Sequence, residues 1–329
     1  MPHLKFSILT DPIPLAKKNR FEILKKVLRL VKYTFLKRPL GSHPFFRGHI
    51  SVTRSLLEGL QKLGISFNYN PYFTYQLEPV AIVLAGVYTL EQAIYLKRKG
   101  KIKKLIAGPN IIVFSSDYNN LIASPEIDLV ITPADIVNQL YILDNPSLKG
   151  KIVAWPAGVD TDYFKPNLNT IRNQILIFEK QNKGPVGPIQ PYINFLIFLG
   201  YNVKIIQYGN YKIEEYRDEL QNSIIMLGFV TDESQGIAWA EAWSSDVPTF
   251  IWNNHLNVYR GRSYLCSTAP YLTDENGIFF DDFYDFQIKF KQWEQGHFRF
   301  QPRKWCVENM SDEVCAKKLL DIIKSVHNK

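Results

Sequence analysis

The sequence predicts an α/β protein of two domains, each a mostly parallel sheet covered by helices on both faces. Three observations carry this expectation. Short, near-continuous apolar runs alternate with segments of helical period along most of the chain, which is the pattern of strands buried on both faces. That alternation is interrupted at residues 155–167, Trp-Pro-Ala-Gly-Val-Asp-Thr-Asp-Tyr-Phe-Lys-Pro-Asn, and then resumes. The 329 residues, 46% of them hydrophobic and 21% charged, are enough for two cores. The expected division is 1–157 and 158–329.

Leu4–Leu9 opens the first domain as a short apolar strand. Residues 19–38 have a helical period, with Phe21, Leu24, Leu28, Val31 and Phe35 on one face. Arg20, Lys25, Lys26, Arg29, Lys32, Lys37 and Arg38 fill the other faces. Such a basic amphipathic helix is either an attachment to an anionic membrane surface or a surface helix with a solvated basic face. Residues 40–49 form a loop containing His43, and Ile50–Leu63 a helix stopped by Gly64. Strands are expected at Phe67–Tyr69, Ala81–Leu84, Lys104–Ile106 and Leu129–Thr132, with helices at Thr89–Arg98 and Ala134–Tyr141. In the second domain, strands at Gln174–Glu179, Asn202–Gln207, Ile224–Leu227 and Thr249–Trp252 alternate with helices at Ile189–Leu199, Ile213–Leu220 and Gly236–Trp243. A last helix, about Ser311–Val326, carries Val314, Leu319, Leu320 and Ile323 on an apolar face. No repeat with a period of 20–50 residues is visible.

Composition narrows the function classes. The net charge of +8 favours anionic partners such as phosphates or acidic lipid surfaces. The basic residues concentrate in one early helix and no aromatic-interleaved groove appears, so no nucleic-acid partner is expected. Three cysteines, an odd number without Cys-x-x-Cys, indicate neither a disulfide framework nor a zinc site. Free thiols suit a reducing compartment. Lys5, Asp11 and Pro12 break any apolar leader segment, and no apolar run approaches the ~20 residues of a membrane span. A cytoplasmic protein is expected, peripheral on the inner face of a membrane if the helix at 19–38 attaches there. Neither a Gly-x-Ser-x-Gly elbow nor a Gly-x-Gly-x-x-Gly loop after the first strand is present, which argues against a serine hydrolase and a dinucleotide-dependent dehydrogenase.

The chemistry is expected beyond the carboxyl ends of the strands. Gly228-Phe-Val-Thr-Asp-Glu-Ser-Gln-Gly236 follows an apolar strand and opens a helix, whose first N–H groups favour phosphate. Glu233 lies in the loop and Glu241 a little over one turn into the helix. A carboxylate at Glu241 suits two vicinal hydroxyls of a ribose, and one at Glu233 the hydroxyls of a sugar ring. Spacing alone favours a dipole partner at Glu233 and a solvated helix residue at Glu241.

The run from Glu233 to Glu241 resembles the donor-site signature of retaining glycosyltransferases of the GT-B fold, the group 1 or family 4-like enzymes with two glutamates flanking seven residues. Residues 158–166, Gly-Val-Asp-Thr-Asp-Tyr-Phe-Lys-Pro, resemble the linker between their domains. Gly48-His49 resembles their N-terminal Gly-rich loop, and Gly277-Ile-Phe-Phe280 the strand near their donor site. The resemblance spans about residues 40–325. It implies two Rossmann-like, doubly wound domains facing a cleft, with a C-terminal helix crossing back to the first domain. The first domain would bind an acceptor, glycan or lipid-linked, and the second a nucleoside-diphosphate sugar as co-substrate, with no cofactor. By position, Glu233 would contact the transferred sugar, Glu241 the ribose, and Ser234, Gln235 and Gly236 would line the donor. Lys183, before Gly184, and Lys180 would hold the diphosphate. Gln235 stands where the family carries an aromatic residue. His49, Arg47 and Gly48 would face phosphate or acceptor, and Asn110 the acceptor. A capping histidine and a turn role for Asn110 remain the plainer alternatives. Ser267–Tyr271 has the small residues of a tight loop, at the sugar pocket or outside it. Asp160-Thr-Asp162 has the form of a metal-binding triplet of a different glycosyltransferase fold, but its place in the linker predicts no metal. A sugar-nucleotide epimerase of the same fold and a non-catalytic nucleotide-sugar-binding adaptor at a membrane are the alternatives in other functional classes.

Overall fold

The computed structural model describes residues 5–11, 49–180 and 187–328. The chain forms two compact units, one ending at Gly158 and completed by the residues from Cys315 onward, the other running from Val159 to Val314.

The first unit is built on six parallel strands, β1 (Phe6–Leu9), β2 (Asn68–Tyr69), β3 (Val80–Ala85), β4 (Lys104–Asn110), β5 (Leu129–Thr132) and β6 (Ile152–Ala154). Their order is β2-β1-β3-β4-β5-β6, so the chain changes direction across the sheet between β1 and β3. Helices α1 (His49–Lys62), α2 (Val87–Arg98) and α3 (Asp135–Asp144) follow in the chain. Ala81, Ile82, Val83, Leu105 and Ile106 are fully buried, as strands covered on both faces require.

The last helix, Asp312–His327, enters this unit from Cys315. Its Cys315, Ala316, Leu319, Leu320 and Ile323 are buried. The buried Trp155 indole donates to the Cys315 carbonyl at 2.9 Å. The second unit ends at Val314 and the last helix belongs to the first, the crossing-back that the family resemblance implies. The apolar face that marked this helix as amphipathic is completed in the first unit.

The second unit contains β7 (Gln174–Lys180), β8 (Asn202–Gln207), β9 (Ser223–Val230), β10 (Thr249–Trp252), β11 (Leu256–Tyr259), β12 (Arg262–Leu265) and β13 (Gly277–Phe280). Five of these make a parallel sheet of order β13-β10-β9-β7-β8, and β11 and β12 form a separate antiparallel hairpin. Helices α4 (Gln190–Phe198), α5 (Ile213–Asn222), α6 (Ile237–Ser244), α7 (Phe283–Glu294) and α8 (Pro302–Met310) belong to this unit. The high aromatic content is spent here, on both faces of the sheet. One face packs Phe178, Tyr216, Trp239 and Trp243, and the other Tyr192, Phe229, Phe250, Phe280, Phe286 and Phe290.

The expected strands and helices are present, with ends shifted by a few residues. Four kinds of element were not foreseen: the short β6, the β11–β12 hairpin, α7 and α8. The basic segment 19–38 and the loop before His49 lie outside the described residues. Among the described residues, no helix is long and apolar enough to cross a membrane.

Helix α7 has a clear start. The Asp282 carboxylate accepts from the Asp285 N–H at 2.8 Å, capping the first turn. Phe286 and Phe290 then fall on its buried face. Asp282→Ala is expected to cost about 1 kcal/mol, read as a lower urea midpoint with an unchanged slope.

Candidate functional site

The strand order of the second unit singles out one place. The chain leaves β7 for the edge strand β8 and returns on the other side as β9, so the order reverses between β7 and β9. Loops leaving the carboxyl ends of these two strands diverge and open a crevice, the common ligand position in open α/β sheets. Lys180 is the last residue of β7 and is in register with Val230, the last of β9. The loop that follows β9 carries Glu233.

Lys180 and Glu233, 53 residues apart, meet here: the Lys180 ammonium donates to the Glu233 carboxylate at 2.7 Å. Both side chains are only 16% exposed. The ammonium also lies 4.8 Å from the centre of the Tyr208 ring. Burial alone would lower the Lys180 pKa, but the Glu233 carboxylate, with smaller contributions from Tyr208 and Asp232, outweighs it and the net shift is upward. Lys180 is a fixed positive charge at neutral pH.

Helix α6 starts at this crevice because of Trp239. Its fully buried indole donates to the Thr268 carbonyl at 2.8 Å and packs edge-on against Phe178 with ring centroids 5.5 Å apart. Two glycines make room for it. A Cβ at Gly228 would lie 2.5 Å from Trp239 Cη2, and one at Gly236 2.2 Å from its Cδ1. Gly236 also has φ +82°, a left-handed conformation that costs any residue with a Cβ. The chain thus turns sharply at Gly236 into α6 and leaves first-turn N–H groups at the crevice.

Glu241 lies on the second turn of α6 and is partly buried. Tyr216 is fully buried and its hydroxyl donates to the Ala238 carbonyl at 2.8 Å. Burial first and then the Glu241 carboxylate raise the Tyr216 pKa; Tyr163 is raised by burial, with Glu241 a minor contributor. Glu241 therefore sits within electrostatic reach of both phenols.

The rest of the loop is laced to its neighbours. The Glu233 N–H donates to the Ser267 carbonyl at 2.8 Å, so the small-residue loop Ser267–Tyr271 holds both Glu233 and Trp239. Asn254 donates to the Thr231 carbonyl at 2.6 Å, and the Tyr264 hydroxyl donates to the Asp232 carboxylate. The Cys266 thiol, pushed up to about 12 by burial and by Asp232, stays protonated at neutral pH and is no nucleophile.

Lys180, Glu233 and the start of α6 are therefore brought together. Ser234 is exposed, whereas Gln235 and Gly236 are buried. Asn110 ends β4 in the first unit, and His49 is the first residue of α1. Lys183, Gly184, His43, Arg47 and Gly48 lie outside the described residues. Asp160 accepts from the N–H groups of Asp162 and Tyr163, both at 3.1 Å, which makes it a turn-forming residue. Among the described residues, no group of three or more His, Cys, Asp or Glu side chains is placed to hold a metal ion. Sequence reasoning missed Tyr208, Asp232 and Tyr264. Tyr208-Gly209-Asn210, directly after an expected strand, was the legible signal for the first of these.

Solved structures that superpose on this chain include glycosyltransferases. A glycosyltransferase from Rickettsia africae superposes with a TM-score of 0.55 at 13% identity, over 99% of this chain and 98% of that one. The lipopolysaccharide outer core galactosyltransferase WaaB gives 0.56 at 11% identity, over 98% and 99%. HepE from Anabaena, solved with UDP and glucose, gives 0.54 at 12% identity, over 98% and 100%. The chain has the GT-B fold. No protein-family model matches it, and no curated protein matches it significantly in sequence. Its GT-B units are both doubly wound parallel sheets, and the second carries the glutamate pair at its switch point.

Gly236→Ala is expected to cost about 2 kcal/mol and to lower the melting temperature by about 4–8 °C, because the methyl group has no place beside the indole. A thermal melt of the variant checks this.

Proposed function

We propose that the protein is a glycosyltransferase that moves a sugar from a nucleoside-diphosphate sugar to an acceptor hydroxyl with retention of anomeric configuration. The observation that carries this reading is the Lys180–Glu233 pair at 2.7 Å, placed where the strand order reverses and where α6 begins. Lys180 and the first-turn N–H groups of α6 supply positive charge for a diphosphate. Glu233 supplies an acceptor for sugar hydroxyls, and Glu241, one turn further, an acceptor for ribose hydroxyls. The GT-B fold and the presence of UDP and glucose in the HepE structure support the same reading.

In the reaction, the bond from the anomeric carbon to the leaving phosphate oxygen breaks and one to the acceptor oxygen forms on the same face. The acceptor's proton passes to the departing diphosphate. No side-chain nucleophile takes part; Cys266, held protonated, is unsuited to that role. Lys183, with Lys180, neutralises the leaving group. Ser234, Gln235 and Gly236 form the backbone that borders the donor. The first unit, through Asn110, His49, Arg47 and Gly48, takes the glycan or lipid-linked acceptor. Diphosphate departure is stabilised by these cations without a metal ion.

Calorimetric titration with nucleoside diphosphates tests the binding half of this proposal. Saturable binding is expected, weakened about 10–100-fold by Glu241→Ala, the loss of hydrogen bonds to a charged acceptor. Unchanged affinity in that variant would remove Glu241 from the site. The catalytic half is tested with Lys183→Ala, which is expected to lower turnover about a hundredfold with an unaltered melting curve. Wild-type turnover in it would move the phosphate role elsewhere. Interconversion of the donor sugar without transfer would identify an epimerase, and tight donor binding with neither reaction an adaptor.

A further inference from the structure

Lys180, the cation at the β7–β9 crevice, is acted on by two carboxylates from the loop after β9. Glu233 accepts from its ammonium at 2.7 Å, with both side chains 16% exposed. Asp232 adds a smaller pull on the same ammonium while accepting from the Tyr264 hydroxyl. The ring of Tyr208, 4.8 Å away, holds the ammonium through its π face. The lysine charge is therefore largely answered by the protein itself.

The loop that carries these carboxylates is pinned along its length. Asn254 donates to the Thr231 carbonyl at 2.6 Å, and the Glu233 N–H donates to the Ser267 carbonyl at 2.8 Å. Gly236, at φ +82°, fixes the far end against Trp239. A phosphate that takes Lys180 as its partner must therefore share the ammonium with Glu233. Two anions on one shielded ammonium repel each other. An intact nucleotide sugar offsets this repulsion, because its sugar hydroxyls donate to the carboxylate. A bare nucleoside diphosphate has no sugar hydroxyl at that end and ends in a phosphate with one more ionisable oxygen. The same glutamate thus has opposite effects on donor and product.

We propose that Glu233 discriminates between donor and spent product: it accepts from the hydroxyls of the intact nucleotide sugar and opposes the bare nucleoside diphosphate on Lys180, so that product leaves and fresh donor replaces it. The role rests on the donor reading of the site. It differs from plain sugar binding in sign, since a residue that only held the sugar would leave diphosphate affinity untouched. Release of product is a step that limits turnover in many enzymes, and a carboxylate bonded to the phosphate-binding lysine speeds it without weakening the donor complex.

Calorimetric titration of the full chain with UDP, GDP and ADP, and with the glucose ester of each, tests it. E233Q keeps the shape of the side chain and removes its charge. It is expected to bind the diphosphate that wild type prefers about tenfold tighter than wild type does, and the matching glucose ester no tighter. D232N, which leaves Glu233 in place, is expected to tighten the same diphosphate about threefold, and it decides the matter if E233Q does not melt cooperatively. E233Q weakening both ligands is the mark of a structural role and would overturn the proposal. Equal tightening of both ligands in E233Q, or unchanged diphosphate affinity in both variants, would overturn it too, and each of these results leaves the diphosphate site standing. Binding of no diphosphate by wild type would instead remove the proposed function, and the role of Glu233 with it.

Discussion

The indole of Trp239 is clamped between two glycines, and the geometry of the second unit's site follows from that contact. Neither Gly228 in β9 nor Gly236 before α6 has room for a Cβ, because the ring occupies the space. With the indole bonded to the Thr268 carbonyl and set against Phe178, α6 has one seat on the sheet. The seat fixes where its first-turn N–H groups emerge, and it brings Ala238 to the Tyr216 hydroxyl. Glu241 is thereby placed near two phenols, the buried Tyr216 and the partly buried Tyr163, and Glu233 is left on the short bridge from β9 to the helix. Aromatic packing here sets the position of charged groups.

Those charged groups follow a consistent logic. The switch between β7 and β9 brings a lysine from one strand end against a glutamate from the other, in a place mostly shielded from water. Such a pair is weak evidence for stability, since desolvation offsets most of its attraction. It is better understood as a preset arrangement of one cation and one hydrogen-bond acceptor in a polar crevice. Asp232, next in the chain, faces Tyr264 and so ties the same loop to the hairpin. One short loop therefore joins the crevice, the helix start and the outlying β-ribbon.

Legibility in the sequence tracked burial and locality. Parallel strands such as Val80–Ala85 and Ser223–Val230 are buried on both faces, so they appear as unbroken apolar runs. The three-residue β6 is too short to stand out, and the hairpin carries exposed Leu and Val around an Arg-Gly turn, where Asn-Gly or Asp-Gly would have been the stronger signal. Helix α7 was readable: Phe283, Phe286, Phe290 and Trp293 recur at helical spacing behind a capping Asp282. At the site, the glutamate spacing was local and stood out through a family resemblance. The contact of Lys180 with Glu233, and that of Asp232 with Tyr264, depend on strand order and insertion, which no local pattern encodes. For the last helix the apolar face was evident in the sequence, and its return to the first unit was implied by the family resemblance.

Hydrogen exchange of the backbone amides, with and without UDP, tests the central claim that a nucleoside diphosphate is held at the β7–β9 switch by the start of α6. Protection is predicted to appear in the segment from Thr231 to Glu241 and at the end of β7, with little change in α7 and α8. Protection confined to other segments, with the amides from Thr231 to Glu241 exchanging as fast with UDP as without it, would contradict the account.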